Sequence, residues 1–396
     1  MIVDGAPGLH LTYCTNIHAG ETWDEVFANV STHVLAVKAR VCPTRPFGVG
    51  LRLSAAAARR LAQPEVLAGF RDFLRAQDLY VFTINGFPYG AFHGTTVKEN
   101  VYRPDWLEDE RVTYSDQLAG ILAALVPAGM EGSISTVPGC FLERADDSGE
   151  RIAENLRRHV RTLWQLAERT GKTIGLALEP EPHCMMETSA DAVGFFERHL
   201  FSRTSLAAFA AATGLSLPSA DEVLRRHLGV CLDACHAAVE FEEPAEAVRG
   251  LEQAGIRLLK VQVSAGLMVR PDPDSLAALS RFAEGVYLHQ VVVRTGRALR
   301  RLVDLPRALA EARPGKLGDE WRVHFHVPLF LERLGPFQNT QPFLAKLLPL
   351  VARTAATRHL EVETYTWDVL PEEHRRVPVD EAIARELLWT LKRCKA

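Results

Sequence analysis

Residues 174–184 read IGLALEPEPHC, and the order of apolar and charged residues in this stretch indicates the class of fold. Residues 173–178 carry no charge, and Glu179, Glu181 and His183 follow directly. A continuous apolar run of this kind is typical of a strand that is buried on both faces of a parallel sheet. Carboxylates at the end of a buried strand need a charged partner or a cation. The stretch therefore predicts a parallel α/β fold with polar side chains gathered at its strand ends.

Further stretches of the chain repeat this order of an apolar run followed by a helical pattern. The strand-like runs are residues 9–15, 47–53, 80–86, 132–138, 173–179, 228–234, 258–264 and 359–367. The helical patterns include DSLAALSRFAEG after the seventh run and a C-terminal helix from about residue 379. Eight β-then-α units predict an α/β fold, a single (β/α)8 TIM barrel over residues 1–396. A doubly wound open sheet is the alternative, but no glycine-rich phosphate-binding loop follows any strand.

Two segments exceed what a barrel needs, and we predict that they are insertions. Residues 201–227 add helical material before the sixth strand. Residues 285–335 contain two more strand-like runs, VYLHQVVV and RVHFHVPLF. They predict a strand-pair excursion after strand seven, beside the barrel mouth. The basic run RTGRALRR at 294–301 predicts a solvated helix face.

Composition and charge limit the kinds of binding partner that we expect for this protein. The 396 residues carry a formal net charge of −4, which gives no reason to expect nucleic acid as a partner. Residues 1–10 lack the pattern of a signal peptide, and the apolar run at 118–130 is too short to span a bilayer. The seven cysteines are scattered without a C-x-x-C pair, which favours reduced thiols. We therefore expect a cytoplasmic protein with a small-molecule partner and no membrane insertion.

Polar residues collect where the predicted strands end, which is the active-site face of a TIM barrel. They are Asn16, His18, Asn85, His93, Glu179, Glu181, His183, Asp233, His236, Lys260, Gln262, Ser264, Glu361 and Glu363. Glu179, Asp233 and one strand-eight glutamate come from different strands and are expected to converge. Carboxylate and imidazole ligands suit Mn²⁺, Mg²⁺, Co²⁺ or Zn²⁺, so we predict a divalent metal site. A buried ion pair with a lysine or arginine is the alternative for Glu179.

Several motifs together resemble a known superfamily. LALEPEP on strand five, CLDACH on strand six and EVE on strand eight look like the xylose isomerase-like TIM barrels. That superfamily includes sugar-phosphate isomerases and epimerases and the endonuclease IV relatives. More narrowly, TYCTNIHAGETW, TINGFPYGAFHG, LEPEPHC, VHFHVPLF and LEVETYTWDVLP together resemble the metabolite traffic protein EboE family.

The resemblance implies a metal held by Glu179, Asp233, a strand-seven histidine and Glu363, with His236 near substrate or metal. Strand seven reads KVQVSAG and has Gln262 where the histidine is expected. A histidine of the insertion is therefore expected to substitute, or the metal is weak or absent. The candidates are His289, His324 and His326, and we take His326 as the fourth ligand.

Three functions remain open. The first is an isomerase or epimerase for a sugar-like or cyclitol-like polyol or a phosphorylated metabolite, with Glu179, Glu363 and His236 as catalytic residues. The second is a multi-zinc phosphoester hydrolase of the endonuclease IV type. The third is a non-catalytic protein that binds a metabolite and hands it on. A homodimer through the outer helices is also open. The residues expected to bind substrate are Asn16, His18, Asn85, His93, Glu181, Gln262, His324, Glu361 and Trp106.

Overall fold

The computed structural model describes residues 1–93 and 97–395. The strands in chain order are β1 (His10–Tyr13), β2 (Phe47–Arg52), β3 (Leu79–Asn85), β4 (Gly132–Thr136), β5 (Ile174–Leu178), β6 (Leu228–Asp233), β7 (Arg257–Val263), β8 (Leu267–Val269), β9 (Val291–Thr295), β10 (Ala298–Leu302), β11 (Glu320–Val323), β12 (Arg333–Leu334), β13 (Phe337–Asn339) and β14 (His359–Val362).

The α-helices of the described residues follow the same order. They are α1 (Trp23–Asn29), α2 (Leu35–Val41), α3 (Ala55–Leu61), α4 (Pro64–Ala76), α5 (Asp109–Leu125), α6 (Gly149–Thr170), α7 (Ser189–Phe195), α8 (Arg203–Thr213), α9 (Leu217–His227), α10 (Ala234–Val239), α11 (Pro244–Gln253), α12 (Pro273–Leu279), α13 (Leu305–Glu311), α14 (Gln341–Thr354) and α15 (Val379–Cys394). Within the described ranges, no helix combines the length and the apolarity that crossing a bilayer requires.

Eight parallel strands form the barrel, in the order β1-β14-β7-β6-β5-β4-β3-β2. The ring closes between β1 and β2 through a parallel bridge of Cys14 and Gly50. The backbone N–H of Arg52 also donates to Thr15 Oγ1 at 2.9 Å across this seam. The predicted TIM barrel is confirmed, and each of its strands falls on a predicted apolar run. Strands that are buried on both faces need apolar side chains, which is why they appear as apolar runs in the sequence. The strands β1, β2, β4, β5, β6 and β14 are buried along their whole length.

Helix α6 packs against the barrel through one apolar stripe. Ile152, Leu156, Val160 and Leu163 recur every three or four positions and are buried. The helix ends at Thr170, and Gly171 caps it with a φ of +66°, a left-handed conformation that glycine adopts without strain. The predicted helical insertion at 201–227 is confirmed as α8 and α9.

The insertion after β7 is larger than the predicted strand pair. Residues 267–339 form a six-stranded antiparallel sheet in the order β10-β9-β11-β8-β13-β12. The helical pattern of DSLAALSRFAEG, predicted as the helix of the seventh barrel unit, becomes α12 inside this insertion. The helix that precedes β14 is α14, which the sequence patterns did not predict. Residues 294–301 are not a helix face. They belong to the β9–β10 hairpin, which turns at Gly296 with a φ of +57°.

Candidate functional site

A cavity lies at the carboxyl ends of the barrel strands. Its lining residues are Asn16, Asn85, Phe87, Pro88, Phe92, Val97, Lys98, Val101, Tyr102, Glu179, Glu181, His236, Tyr287, Leu288, His324, Glu363 and Tyr365. The walls combine five aromatic rings with carboxylates and imidazoles. Enclosed pockets that are mostly apolar with a few convergent polar groups are typical of small-molecule sites.

Three carboxylates from three strand ends converge beside this cavity. Glu179 follows β5, Asp233 ends β6, and Glu363 follows β14. One oxygen of each lies within 4.8 Å of the others, and all three residues are buried. Asp233 Oδ1 accepts hydrogen bonds from the backbone N–H of His236 at 2.9 Å and from Ser264 Oγ at 2.7 Å. These two bonds fix the Asp233 carboxylate and leave its Oδ2 free.

His326 brings an imidazole to the same place from the insertion. Its Nδ1 donates to the backbone carbonyl oxygen of Glu363 at 2.8 Å, so its Nε2 carries a lone pair. That Nε2 lies 3.9 Å from Asp233 Oδ2. The backbone N–H of Val327 donates to the carbonyl oxygen of Ala265 at 2.8 Å, which ties this segment to the end of β7.

The free atoms of this group are all acceptors. Glu179 Oε2, Asp233 Oδ2 and His326 Nε2 are buried and have no hydrogen-bond partner. Buried polar atoms in folded proteins are almost always paired, and a cation satisfies acceptors that no donor reaches. The residues present therefore fit a divalent cation, with Glu363 as a further carboxylate ligand.

The pKa values in this group reflect burial and the crowding of like charges. Burial raises the pKa of Glu179 well above its ordinary value, and the nearby carboxylates of Glu363 and Asp233 raise it further. Burial also raises the pKa of Glu363 well above its ordinary value, and the nearby carboxylates of Asp233 and Glu361 raise it further. For Asp233, burial alone would raise the pKa, but His236, His326 and two hydrogen bonds outweigh it and lower the pKa. Two of the three carboxylates thus favour a bound proton or a cation.

Asn16 and Asn85 both donate hydrogen bonds to the carboxylate of Glu363. The Nδ2 of Asn16 donates to Glu363 Oε1 at 2.7 Å, and the Nδ2 of Asn85 donates to the same oxygen at 2.8 Å. Both residues line the cavity, as expected for substrate contacts, and both also orient the carboxylate. The sequence patterns give no sign of this second role, because β1 and β3 are far from β14 along the chain.

A second polar group lies on the adjacent wall. Glu181, His236 and His324 line the cavity, and the Nε2 atoms of the two histidines are 3.1 Å apart. Tyr102 and Gln290, which the sequence patterns do not single out, complete this group. Tyr102 OH donates to Glu181 Oε1 at 2.6 Å, and Gln290 Oε1 accepts from His324 Nδ1 at 2.7 Å.

Five of the residues predicted to bind substrate are not among the described residues that line the cavity. They are His18, His93, Trp106, Gln262 and Glu361. Glu361 forms a fully buried ion pair with Lys260 at 2.5 Å. Gln262 Oε1 accepts from the Cys231 thiol at 3.0 Å, inside the barrel. Trp106 is fully buried, and its Nε1 donates to Thr136 Oγ1 at 3.2 Å.

The two histidines of this set are held elsewhere at the mouth. The ring of His18 stacks on that of His33, with centroids 4.2 Å apart, and its Nε2 is 3.1 Å from Tyr13 OH. His93 lies 4.0 Å from Glu21. Neither residue lines the cavity in the described part of the chain, and the two ring nitrogens of His93 are buried without a hydrogen-bond partner.

Comparison with known proteins gives the fold. No protein-family model matches the chain, and no curated protein matches its sequence. A xylose isomerase-like TIM barrel protein from Mycobacterium smegmatis, in complex with magnesium, superposes with a TM-score of 0.50 at 11% identity, over 98% of this chain and 96% of that one.

Two further solved structures are similar. The IOLI protein with a binding zinc atom gives a TM-score of 0.47 at 12% identity, over 98% of both chains. A xylose isomerase domain protein from Planctomyces limnophilus gives 0.47 at 15% identity, over 97% of both chains. At these identities the similarity concerns the backbone alone. The chain thus has the fold of the xylose isomerase-like TIM barrels.

Proposed function

We propose that this protein is a divalent-metal-dependent isomerase or epimerase acting on a sugar-like or cyclitol-like polyol. The observation that carries the proposal is the set of three buried acceptor atoms without donors, on Glu179, Asp233 and His326. They lie beside a cavity walled by aromatic rings. A cation placed among them would stand next to a bound small molecule.

Four residues would hold the ion, which is Mn²⁺, Mg²⁺, Co²⁺ or Zn²⁺. They are Glu179, Asp233, Glu363 and His326. His326 takes the place of the strand-seven histidine, because the insertion that carries it leaves the barrel at the end of β7. When bound, the metal would polarise adjacent substrate oxygens and stabilise negative charge on them.

The chain's own groups supply the proton transfer. Burial raises the pKa of both Glu179 and Glu363, and whichever of these two carboxylates is not tied to the metal would exchange a proton with a substrate carbon. Glu363 lies on the opposite wall and is the second candidate for this exchange. Asn16 and Asn85 keep its Oε1 in a fixed position. His236 would orient a substrate hydroxyl from the adjoining wall.

The walls favour an uncharged polyol over a phosphorylated one. Phe87, Phe92 and Tyr365 line the cavity and would offer ring faces to the C–H groups of a polyol. Lys98 is the single lysine or arginine of the described lining. Its Nζ is held by Asp304 Oδ2 at 2.8 Å and by the carbonyl oxygen of Tyr287 at 2.7 Å. Because these two oxygens hold the Lys98 ammonium, it is not free to bind a phosphate.

The proposal also includes the metabolic pathway and the cellular location of the protein. The five sequence stretches that resemble the metabolite traffic protein EboE family support a place in secondary-metabolite biosynthesis or traffic. The cysteines are free thiols, which supports a cytoplasmic location. The homodimer and the exclusion of nucleic acid stay predictions from sequence.

The test begins with the metal content of protein purified without a metal-affinity column. We expect at least one divalent ion per chain in the wild type and one fewer in the Asp233→Asn, Glu363→Gln double variant. The exposed Glu197→Gln variant is the control and should match the wild type. Equal metal content in the double variant and the wild type would rule out this ligand set.

Turnover is then followed in deuterium oxide across a panel of polyols. An isomerase or epimerase that moves a proton exchanges carbon-bound hydrogen with solvent, which NMR detects, and Asp233→Asn should abolish this exchange. Polyol binding without exchange or isomerisation, in protein that contains its metal, would support the binding and handover function instead. Cleavage of small phosphoesters would support the hydrolase.

A further inference from the structure

The insertion and the C-terminal helix enclose another cavity, of about 540 Å³, outside the barrel mouth. Its walls come from the end of α12 and the residues that follow it, from the β12–β13 hairpin, and from the chain before and within α15. None of the described residues that line the cavity at the barrel mouth also lines this one. The two cavities are therefore separate, and the assigned metal ligands take no part in the second.

Part of the lining of this second cavity is aromatic. Phe282, Phe330 and Phe337 line it, and the rings of Phe282 and Phe337 meet edge to face with centroids 5.5 Å apart. Phe282 and Phe337 are buried, and Phe330 is half-buried. Aromatic walls of this kind suit the apolar body of a small molecule.

Four arginines share the lining with these rings. They are Arg281, Arg333, Arg376 and Arg385, and Glu373 is the single acidic residue of the described lining. A guanidinium group is always charged, so this cavity has an excess of positive charge in a chain whose net charge is −4. A cleft that carries charges of one sign between apolar walls concentrates the field and attracts ions of the opposite sign.

Two of the four arginines already have carboxylate partners. Arg281 pairs with Glu373 through both Nη atoms, at 2.7 and 3.0 Å. Arg385 Nη2 lies 2.5 Å from Glu381 Oε1, and its guanidinium carbon lies 5.5 Å from the centre of the Phe330 ring. These contacts neutralise two of the charges and hold both side chains in the cavity wall.

The other two arginines have donors that no protein group uses. The side chain of Arg333 has no hydrogen bond or ion pair with any residue that the structure describes. Arg376 donates through Nε to the backbone carbonyl oxygen of Glu373 at 2.7 Å, and within the described ranges its Nη atoms have no partner. Both residues are exposed, so their N–H groups are available to a ligand.

We propose that this cavity binds an organic phosphate, with the phosphoryl group between Arg333 and Arg376 and the apolar body against the phenylalanines. Guanidinium groups present paired N–H donors that match the oxygens of a phosphate. The three terminal oxygens of a phosphate can serve two guanidinium groups, whereas one bidentate arginine occupies both oxygens of a carboxylate. A phosphate ion without an organic body would leave the rings without a contact.

The site lies behind the segment that carries His326. The ring of Phe282 meets that of Phe325 edge to face, with centroids 5.2 Å apart, and Phe325 directly precedes His326 in the chain. An organic phosphate against Phe282 would therefore lie one ring away from that segment. The inference goes beyond the proposed function and does not rest on it, because it uses none of the four assigned metal ligands.

Calorimetric titration of the full chain with phenyl phosphate, in a buffer without phosphate, tests the site. We expect saturable binding of one molecule per chain, weaker binding of inorganic phosphate, and no binding of benzyl alcohol at the same concentrations. Arg333→Gln and Arg376→Gln each remove a guanidinium from an exposed position, where the fold does not depend on it. Each should weaken the binding of phenyl phosphate by about tenfold, because a charged hydrogen bond is lost.

Arg40→Gln is the matched control. Arg40 is an exposed arginine of α2 and does not line this cavity, so the variant loses the same charge and should bind phenyl phosphate as the wild type does. The Asp233→Asn, Glu363→Gln double variant is the second control. It should lose the metal of the barrel mouth and keep the binding of phenyl phosphate.

The outcomes separate this inference from the proposed function. Loss of phenyl phosphate binding in the Asp233→Asn, Glu363→Gln variant would assign the phosphate to the barrel mouth and overturn this site. Binding that survives the combined Arg333→Gln, Arg376→Gln substitution also overturns it. Inorganic phosphate that binds as tightly as phenyl phosphate would indicate an adventitious ion only. Arginine-dependent binding in a wild type that contains no metal supports this site and removes the metal of the proposed function.

Discussion

Lys260 and Glu361 form an ion pair inside the barrel, and neither side chain reaches solvent. Lys260 Nζ lies 2.5 Å from Glu361 and 3.2 Å from Ser135 Oγ. Burial raises the pKa of Glu361, although the ammonium of Lys260 opposes this. The pair therefore accounts for one buried carboxylate without a metal. A buried ion pair was the alternative for Glu179, and the structure has such a pair at Glu361 on β14.

The pair makes a prediction about stability. Lys260→Met leaves Glu361 buried without a partner, which should lower the free energy of unfolding by about 3–5 kcal/mol. Lys260→Met combined with Glu361→Leu should recover most of that loss. The exposed pair of Lys346 and Glu243, 3.0 Å apart, is the control, and Lys346→Met should change little. Denaturant unfolding measures all of them, and a mild effect of Lys260→Met would contradict the argument.

Among the elements, β1 and β2 approach each other closely where the barrel closes. A Cβ on Gly50 would lie 2.6 Å from the carbonyl oxygen of Tyr13 and would collide with the Glu361 carboxylate. The close approach of the two strands therefore requires glycine at this position, and its φ is not the reason.

Gly50→Ala should lower the free energy of unfolding by about 1–3 kcal/mol, because the seam must open to admit the methyl group. Gly69→Ala is the matched control in α4. It is exposed, and no atom lies within 4 Å of the added Cβ. That variant should gain up to about 1 kcal/mol from helix propensity. Thermal or denaturant unfolding compares the two, and equal effects would contradict the tight seam.

Helix α15 joins the insertion to the end of β14 through Glu386. Its Oε1 accepts from the backbone N–H of Leu329 at 3.0 Å and from Thr364 Oγ1 at 2.8 Å. Burial raises the pKa of this carboxyl to about 7. The folded protein holds the proton more tightly than the unfolded chain. Its contribution to folding is therefore full below the ordinary pKa of 4.5 and is lost as the pH rises to about 7.

Glu386→Gln should remove this pH dependence, since the amide oxygen can accept both bonds and has no proton to lose. Between pH 5 and pH 8 the wild type should lose about 2–3 kcal/mol relative to the variant. Unfolding curves at both pH values give the double difference, in which the other titrating groups cancel. Parallel losses in the two proteins would show that Glu386 does not titrate in this range.

The barrel elements could be predicted because a strand buried on both faces leaves an unbroken apolar run, as β5 does. The insertion sheet could not, because β8, β12 and β13 have only two or three residues and show no period. The three carboxylates could be predicted from their strand ends. The facing Nε2 atoms of His236 and His324 could not, because they depend on where the insertion folds back over the mouth.

At the scale of the whole molecule, the assigned metal ligands come from four segments that are distant along the chain. An ion that binds only the folded state stabilises it, by about 2.7 kcal/mol at a hundred times its Kd. It would also relieve the repulsion among the buried carboxylates. Metal removal should therefore weaken the whole fold.

Addition of a chelator should lower the melting temperature of the wild type, and saturating Mn²⁺ should restore it. Asp233→Asn should respond to neither, since it lacks a ligand to this site. Calorimetry with and without chelator makes the measurement. A wild-type transition that stays the same in both conditions would contradict a stabilising ion.

The position of His326 within the insertion also sets an order of events during synthesis. When the ribosome has made β6, the growing chain has Glu179 and Asp233 but neither His326 nor Glu363. The antiparallel sheet must follow, and then β14. The proposed set of four ligands would be complete only after translation has passed residue 363.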